Sequence, residues 1–501
     1  MAKYVPRHRE QALMIPVHLD DQLQPGTFEH ALDHIIDHRI DLTVFEGRYR
    51  NDETGRPAWD PAVLLKVVLF GYARGLFSSR AIARACEENV VFMALADGAR
   101  PHFTTVADFV SSMRGEIAAI FQHVLLICSE LDLVGGEIFA VDGRKISSNA
   151  AKEWSGTRRQ LEKKQRKIRA VVDHLLEKHR VGDAEAEPAP AERIERLERK
   201  ISKIESFLAE TEPKMGKRGR ELQSNVTDNE SARMQTSHGV VQGYNGLAMV
   251  DAKRQVIVCA EAFGSGQEHD LLGPMVEGAR RNLSAVGRPL PPGAKVIGDT
   301  NYHSEENCRR MSEEGLDAYL PDVHFRKRDP RFATAGEHKP KGRERFRPAD
   351  FAHDAAADRY VCPAGKALTI QNRRKRVAHF VGRSYAAREE DCAACALRDR
   401  CLTTETTKRR YLYVVEEKEG RNHSEAMKRK IDTPEGREMY SRRMGIVEPV
   451  FAHICFAKGL DRITLRGKAK ATIQWMLYAI THNIEKIWRY GGYGGLSCGT
   501  A

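Results

Sequence analysis

Residues 296–307 read VIGDTNYHSEEN, a short apolar run that comes off Pro-Pro-Gly, stops on Asp299 and gives way to a helix start at Ser304. A buried strand that ends on an acid and is followed by a capped helix sets that carboxylate at the C-terminal edge of a sheet, where the active sites of α/β folds gather. An aspartate after a strand also caps turns, so Asp299 needs partner acids before it reads as chemistry. Upstream, EIFAVDGRKISSNA (137–150) changes from helical to strand period, with Ile138, Phe139, Val141 and Ile146 in a β-rich run interrupted by Asp142-Gly143. GYNGLAMVDAKRQVIVCAEAF (243–263) predicts two strands about a turn at Ala252 to Gln255, and AYLPDVHF (318–325) predicts one more. Strands interspersed with helical segments place the chain in the α/β class.

A chain of 501 residues is too long for one ordinary core, so a catalytic-size α/β domain with additions is expected. Lys and Arg total 80 against 69 Asp and Glu, a net charge of +11, which suits a solvated basic surface or a polyanionic partner. The opening MAKYVPRHREQALMIP has no apolar core, and no run of about 18 apolar residues occurs. The expectation is a cytoplasmic protein without a membrane partner. Six of ten cysteines are scattered (Cys86, Cys128, Cys259, Cys308, Cys455, Cys498), which is not a disulfide framework. The other four, Cys362, Cys392, Cys395 and Cys401, contain one CxxC with flanking thiols, a spacing that suits a structural Cys₄ zinc site or reduced thiols in a small β module.

The N-terminal region, 1–132, predicts helices. WDPAVLLKVVLFGYARGL (59–76) opens with Asp60 as cap and Pro61 at the first position, SSRAIARACEEN and VVFMALADG are short helices, and Thr104-Thr105 caps a single long helix through Leu131. Short helices with tight turns suit a helix-turn-helix DNA-binding bundle or an ordinary helical bundle. In the first part of the α/β domain, 133–323, Leu161, Ile168, Val172 and Leu175, then Ile194, Leu197, Ile201, Ile204 and Leu208, recur at helical spacing around GDAEAEPAPAE. This predicts an inserted helical hairpin at about 155–215 whose Lys and Arg can lie along a phosphate backbone or simply in solvent. Residues 324–430 form a basic, cysteine-containing inserted module; 431–490 carry two strong helices, TPEGREMYSRRMGIVEPVFAHICFAKGL and GKAKATIQWMLYAITHNIEKIWRY; 491–501 are a Gly-rich tail. Within the module, RKRDPRF, KPKGRERFR and NRRKR interleave cations with Phe325, Phe332 and Phe346, a pattern for phosphate contact with base stacking. Arg326, Lys327, Arg328, Lys339, Lys341 and Arg343 are the DNA-contact candidates there.

Three acids stand out by context: Asp142 in a strand, Asp299 ending another and Glu448 in a late helix. Carboxylates on strand, strand and helix can converge, and phosphoryl transfer between nucleic-acid strands asks for such oxygen ligands around two divalent ions. The stretches FAVDGRKISSNA, GYNGLAMVD, VIGDTNYHSEEN, YSRRMGIVEPVF and GKAKATIQWMLYAITHNIEKI, with WDPAVLLKVVLFGYARGLFSSRAIARACEENVVFM, resemble the DDE transposases of bacterial insertion sequences. The resemblance implies a ribonuclease-H-like mixed sheet flanked by helices, and a triad of Asp142, Asp299 and Glu448 holding two Mg²⁺ or Mn²⁺ ions. It implies a nucleoid-associated bacterial enzyme that binds terminal inverted repeats in double-stranded DNA, cleaves the element's ends and joins the 3′-OH to target DNA as a homodimer or larger assembly. Tyr440 and Arg443 with Glu448 are similar to the Tyr-Arg-Glu-Lys signature of one branch, in which the arginine contacts DNA phosphate. The gap from Arg443 to Glu448 is one residue longer than in that signature, and Cys455 stands where its lysine falls, with Lys458 and Arg462 as substitutes nearby. A catalytically silent DNA-binding derivative and a nuclease without strand transfer share these features and stay open here.

Overall fold

The computed structural model describes residues 16–49, 57–113, 115–181, 189–216, 219–237, 239–332, 334, 345–377, 380–404, 406–418 and 422–493. They fall into two compact units, Met1–Val323 with Met427–Ala501, and His324–Ala426. The first opens with helices. Thr27 caps α1 (Phe28–Arg39), and Asp60 caps α2 (Pro61–Ala73) by accepting the Ala62 N–H, with Pro61 in the first turn where no N–H is needed. Helix α2 is apolar nearly all round, and it buries one cation, Lys66, whose ammonium lies 2.8 Å from both Asp33 and Asp37 of α1. Two carboxylates one turn apart on α1 clasp one ammonium, which offsets its desolvation and fixes the register of the two helices.

Helices α3 (Ser79–Glu88) and α4 (Val90–Leu95) are capped by Ser78 and Asn89. The next segment departs from the sequence reading. In place of one helix capped at Thr104-Thr105 there are two, α5 (Phe103–Ser112) and α6 (Gly115–Glu130), and the His102 side chain caps α5. The first of the two ends at Met113, which is fully buried and leaves the helical conformation. Apolar residues continue on both sides of it, so periodicity alone runs through the break.

Strand β1 (Ile138–Ser148) is followed by β2 (Ser155–Gly156), helices α7 (Arg158–Val181) and α8 (Ala189–Glu210), and β3 (Ser224–Asn225), which pairs with β2. The two helices pack on each other with Leu161, Val172, Ile201 and Ile204 buried; the centre of the anticipated tip, 182–188, lies outside the described residues. Then come β4 (Ala232–Thr236), β5 (Gly239–Asp251), β6 (Ile257–Phe263), α9 (Leu272–Ala285), β7 (Lys295–Ile297), α10 (Glu305–Glu313) and β8 (Asp317–Tyr319). The expected turn between β5 and β6 is present, with Gln255 at φ 59°. The sheet runs β4-β5-β1-β7-β8, with β6 also on β5; β5 is antiparallel to β1, whereas β7 and β8 run parallel to it.

The second unit holds a short helix, α11 (Phe325–Arg328), and an antiparallel five-stranded sheet of β9 (Ala352–Asp354), β10 (Arg359–Val361), β11 (Ala367–Val377), β12 (Phe380–Ala386) and, after α12 (Glu389–Ala393) and α13 (Arg398–Cys401), β13 (Tyr411–Lys418). Its small core is Phe351, Leu368, Tyr385, Ala387 and Leu412, with Cys362, Cys392 and Cys401 packed against it. Helix α14 (His423–Asp432) leads into α15 (Pro434–Ala452), capped by Thr433, and on to a π-turn over His453–Ala457, where the sequence pattern had continued as one helix. Strand β14 (Arg462–Ile463) adds to the far end of β1, and α16 (Lys468–Tyr490) covers the sheet.

Helix α16 is held by side chains that satisfy sheet backbone. The Trp475 indole N–H donates to the Leu247 carbonyl at 2.7 Å while its ring stacks on Phe451 at 5.8 Å. Asn483 accepts the Ile257 N–H and donates to the Ile257 carbonyl, both at 2.9 Å, and so supplies a strand's hydrogen bonds from a helix. No helix among the described residues is long and apolar enough to cross a membrane. Trp475 is fully buried, so Trp475→Ala leaves a cavity and removes the indole hydrogen bond to the Leu247 carbonyl. The expected loss is about 3–5 kcal/mol, read from the urea midpoint of unfolding.

Candidate active site

Strand pairing brings the first two acids together. In the parallel ladder Ala140 faces Ile297. Asp142 and Asp299 each lie two residues beyond the last pair of that ladder, and the Asp299 charge acts on Asp142. Gly298 is required just before Asp299: a Cβ there would lie 2.8 Å from Leu320 Cδ2 and 2.9 Å from the Tyr302 ring. Asp299 also caps the turn Thr300–Tyr302 by accepting the Asn301 N–H, so the turn reading and the site reading of this residue both hold.

Helix α15 brings the third acid through an arginine. Arg443, 8% exposed, donates from Nη2 to Asp142 Oδ2 at 2.6 Å and from Nη1 to Glu448 Oε1 at 3.3 Å. Its guanidinium therefore spans a strand acid and a helix acid, and it faces inward. Burial pushes the Asp142 carboxyl up to about 7, against the pull of Arg443 and the Gly143 N–H, with Asp299 and Glu448 adding to the rise. Asp299 is raised as well, by burial first, opposed by the Asn301 N–H and reinforced by Glu268. Tyr440 is half-buried one turn before Arg443 and acts on it electrostatically. Asp142, Asp299 and Glu448 thus come from strand, strand and helix into the electrostatic field of one arginine, though among the described residues their oxygens do not form a group whose ligand atoms all lie within 4.8 Å of one another. The buried hydroxyl of Tyr302, without a hydrogen-bond partner and in the field of Asp142, Asp299 and Glu268, lies at the same centre.

The sequence reading missed Glu268, Asn245 and Asn301. Glu268 is buried in the loop between β6 and α9 and accepts from Asn245 and Asn301. Its position after a strand and before a helix is the one that singled out Asp299, and that was the available clue.

The substitutes for the signature lysine separate cleanly. Lys458 is buried in an ion pair with Glu485, so it is not free to meet a ligand. Cys455 is buried too, whereas Arg462 is exposed. The Lys458 pair belongs to the group of His453, His482 and Glu485, whose ligand-type atoms lie within 4.8 Å of one another. There Glu485 Oε1 pairs with the buried Lys458, while Glu485 Oε2 and His482 Nδ1 are buried without a hydrogen-bond partner, and burial lowers the pKa of the His453 imidazole.

In the second unit, Arg326 lies over the rings of Phe325 and Phe332 at 5.7 and 5.5 Å. Phe325 is buried, which removes it from the anticipated base-stacking set, and Phe346 lies under Arg400 at 4.6 Å. Lys327 and Arg328 belong to the same short helix, while Lys339, Lys341 and Arg343 lie outside the described residues. The basic run of β11 is exposed along its length. The thiols of Cys362, Cys392 and Cys395 act electrostatically on Cys401, whose thiol is raised by burial, and the Lys366 N–H donates to Cys362 Sγ at 3.3 Å. In the first unit, Arg159, Lys163, Arg166 and Lys167 line one groove on α7 together with Ala170.

Two families match the chain. One described as Transposase DDE domain matches residues 361–488, and one described as Transposase domain (DUF772) matches residues 17–112. The first includes Arg443 and Glu448, and the second includes α1 to α5. No curated protein and no solved structure matches.

The raised Asp142 carboxyl carries a stability signature. The folded chain keeps that proton up to about pH 7, whereas an unfolded chain releases it near 3.8, so the folded state binds the extra proton between those values. Asp142 therefore contributes stability at low pH that is lost as pH rises from about 4 to about 7. Urea unfolding across that window, without added metal, should show a flatter pH dependence for Asp142→Asn than for wild type.

Proposed function

Because the chain belongs to the DDE-type transposases of insertion sequences, we propose that it binds the terminal inverted repeats of its own element, cleaves the element's ends and joins each freed 3′-OH to target DNA. The observation that carries this reading is the convergence of Asp142, Asp299 and Glu448 about Arg443, on a mixed sheet whose strand order and directions support a ribonuclease-H-like fold. Two Mg²⁺ or Mn²⁺ ions held by these carboxylates supply an activated attacking oxygen and charge stabilisation for the leaving one. The chain's own residues set the geometry. Asp142 and Asp299 each follow two residues beyond the last β1–β7 pair, and Arg443 draws Glu448 towards Asp142 while lowering the cost of gathering like charges in a partly dry place. Arg443, with Tyr440, resembles the Tyr-Arg-Glu signature apart from its longer gap to Glu448, and its proposed role here is to hold the centre together.

DNA is the partner. The helices of the first unit, α1 to α6, recognise the repeats, and the cationic face of α7, with Arg326, Lys327, Arg328 and the exposed basic strand β11, takes phosphate contacts. Cys362, Cys392, Cys395 and Cys401 are the residues that would hold a structural Zn²⁺, a reading supported by the CxxC spacing with two flanking thiols and by the electrostatic influence of the other three on Cys401. Four thiolates leave no open coordination position, so that ion stabilises the second unit and takes no part in catalysis. One chain carries one triad and two ends must be paired, so the active form is a homodimer or larger.

The test is cleavage and joining of a labelled duplex carrying the element's end, with Mg²⁺. Asp299→Asn should bind the duplex and lower both reactions by more than the roughly 100-fold that losing an outer partner of a metal ligand costs. Normal reaction by that variant refutes the triad, and cutting by wild type without joined product identifies a nuclease. For the α7 face, replacing Arg159, Lys163, Arg166 and Lys167 with Gln should flatten the salt dependence of duplex binding by about 0.9 in log–log slope for each phosphate that is no longer neutralised.

A further inference from the structure

Glu268 is a buried carboxylate, 7% exposed, with no lysine or arginine paired to it among the described residues. Burying an anion without a cation is costly, so its neighbours identify what it serves. Oε1 accepts from Nδ2 of the fully buried Asn245 on β5 at 2.9 Å. Oε2 accepts from Nδ2 of Asn301 at 3.1 Å, and the same amide nitrogen lies 3.1 Å from Asp299 Oδ2. The Asn301 backbone N–H meets the other Asp299 oxygen at 2.8 Å. Both oxygens of Asp299 are thus fixed by one residue, and the side chain of that residue is held by Glu268.

Two buried polar atoms next to this chain of contacts have no hydrogen-bond partner: the Tyr302 hydroxyl and Asn245 Oδ1. Tyr302 is fully buried and feels Glu268, Asp142 and Asp299 together, so the unused hydrogen-bonding capacity sits where the carboxylates meet. A loop anchor would need only the Asn245 contact. The further link to Asp299 through Asn301 does nothing for the loop.

We propose that Glu268 is a positioning residue of the active centre: anchored by Asn245, it holds the Asn301 amide, which orients the Asp299 carboxylate for a divalent cation. The inference rests on the reading of Asp299 as a metal ligand given above. In metal sites, residues that orient ligands typically change affinity by roughly 10–100-fold when removed.

The experiment measures Mn²⁺ binding to the full-length protein without DNA, by loss of the free-ion electron paramagnetic resonance signal, for wild type, Glu268→Gln, Asn301→Ala and Asp299→Asn. Asn301 is exposed, so Asn301→Ala should keep the wild-type melting temperature and decides the matter even where Glu268→Gln misfolds. The expected result is a weakening of about tenfold or more in Asn301→Ala, and in Glu268→Gln where it folds, with a larger loss in Asp299→Asn. Wild-type affinity in Asn301→Ala beside a deficient Asp299→Asn overturns the role of Glu268 and leaves the triad standing. Wild-type affinity in Asp299→Asn overturns the triad itself, and the inference with it.

Discussion

The parallel pairing of β1 with β7 is the contact on which the rest of the site depends. It sets Ala140 opposite Ile297, and Asp142 and Asp299 each follow two residues beyond that last pair. A slip of one residue would send one carboxylate to the other face of the sheet. The long antiparallel ladder from Phe139–Asp251 to Ser147–Gly243 opposes such a slip from the other side of β1, and β14 closes the far end of the same strand. Covering α16 then locks the sheet from above with Trp475 on Leu247 and Asn483 on Ile257.

Gathering acids in a partly buried place raises their carboxyl pKa values and costs free energy unless positive charge and donors are supplied. Two devices do this. Arg443 reaches from α15 to both Asp142 and Glu448, and amides reach Asp299 and Glu268 through Asn301 and Asn245. The same arginine that reads in sequence as a DNA contact is, in the fold, the bridge between a strand and a helix. Its burial follows from where α15 crosses β1, which no local pattern encodes.

The elements themselves were largely legible because they rest on local chemistry. Asp60-Pro61 and Thr433-Pro434 open helices where their caps and prolines predict, and the β5–β6 turn falls where expected. Local pattern ran through two irregularities that the structure shows: the break after the buried Met113, and the π-helical turn after Ala452. It failed also for Lys458 and Phe325, whose residue types suggest exposed DNA contacts but whose environments are an internal ion pair and a buried position.

For the site, sequence alone supplied the candidates: an acid inside one apolar strand and another just after a second, a late helix with Arg443 and Glu448 five residues apart, and cations enough for a polyanion. It did so because strand termini, helix caps and net charge depend on neighbouring residues or on simple totals. Tertiary structure decided which groups meet. Glu268 lies 31 residues before Asp299 (299 − 268) and Arg443 lies 301 residues after Asp142. Register and helix crossing bring them together, and these are set by how whole surfaces pack.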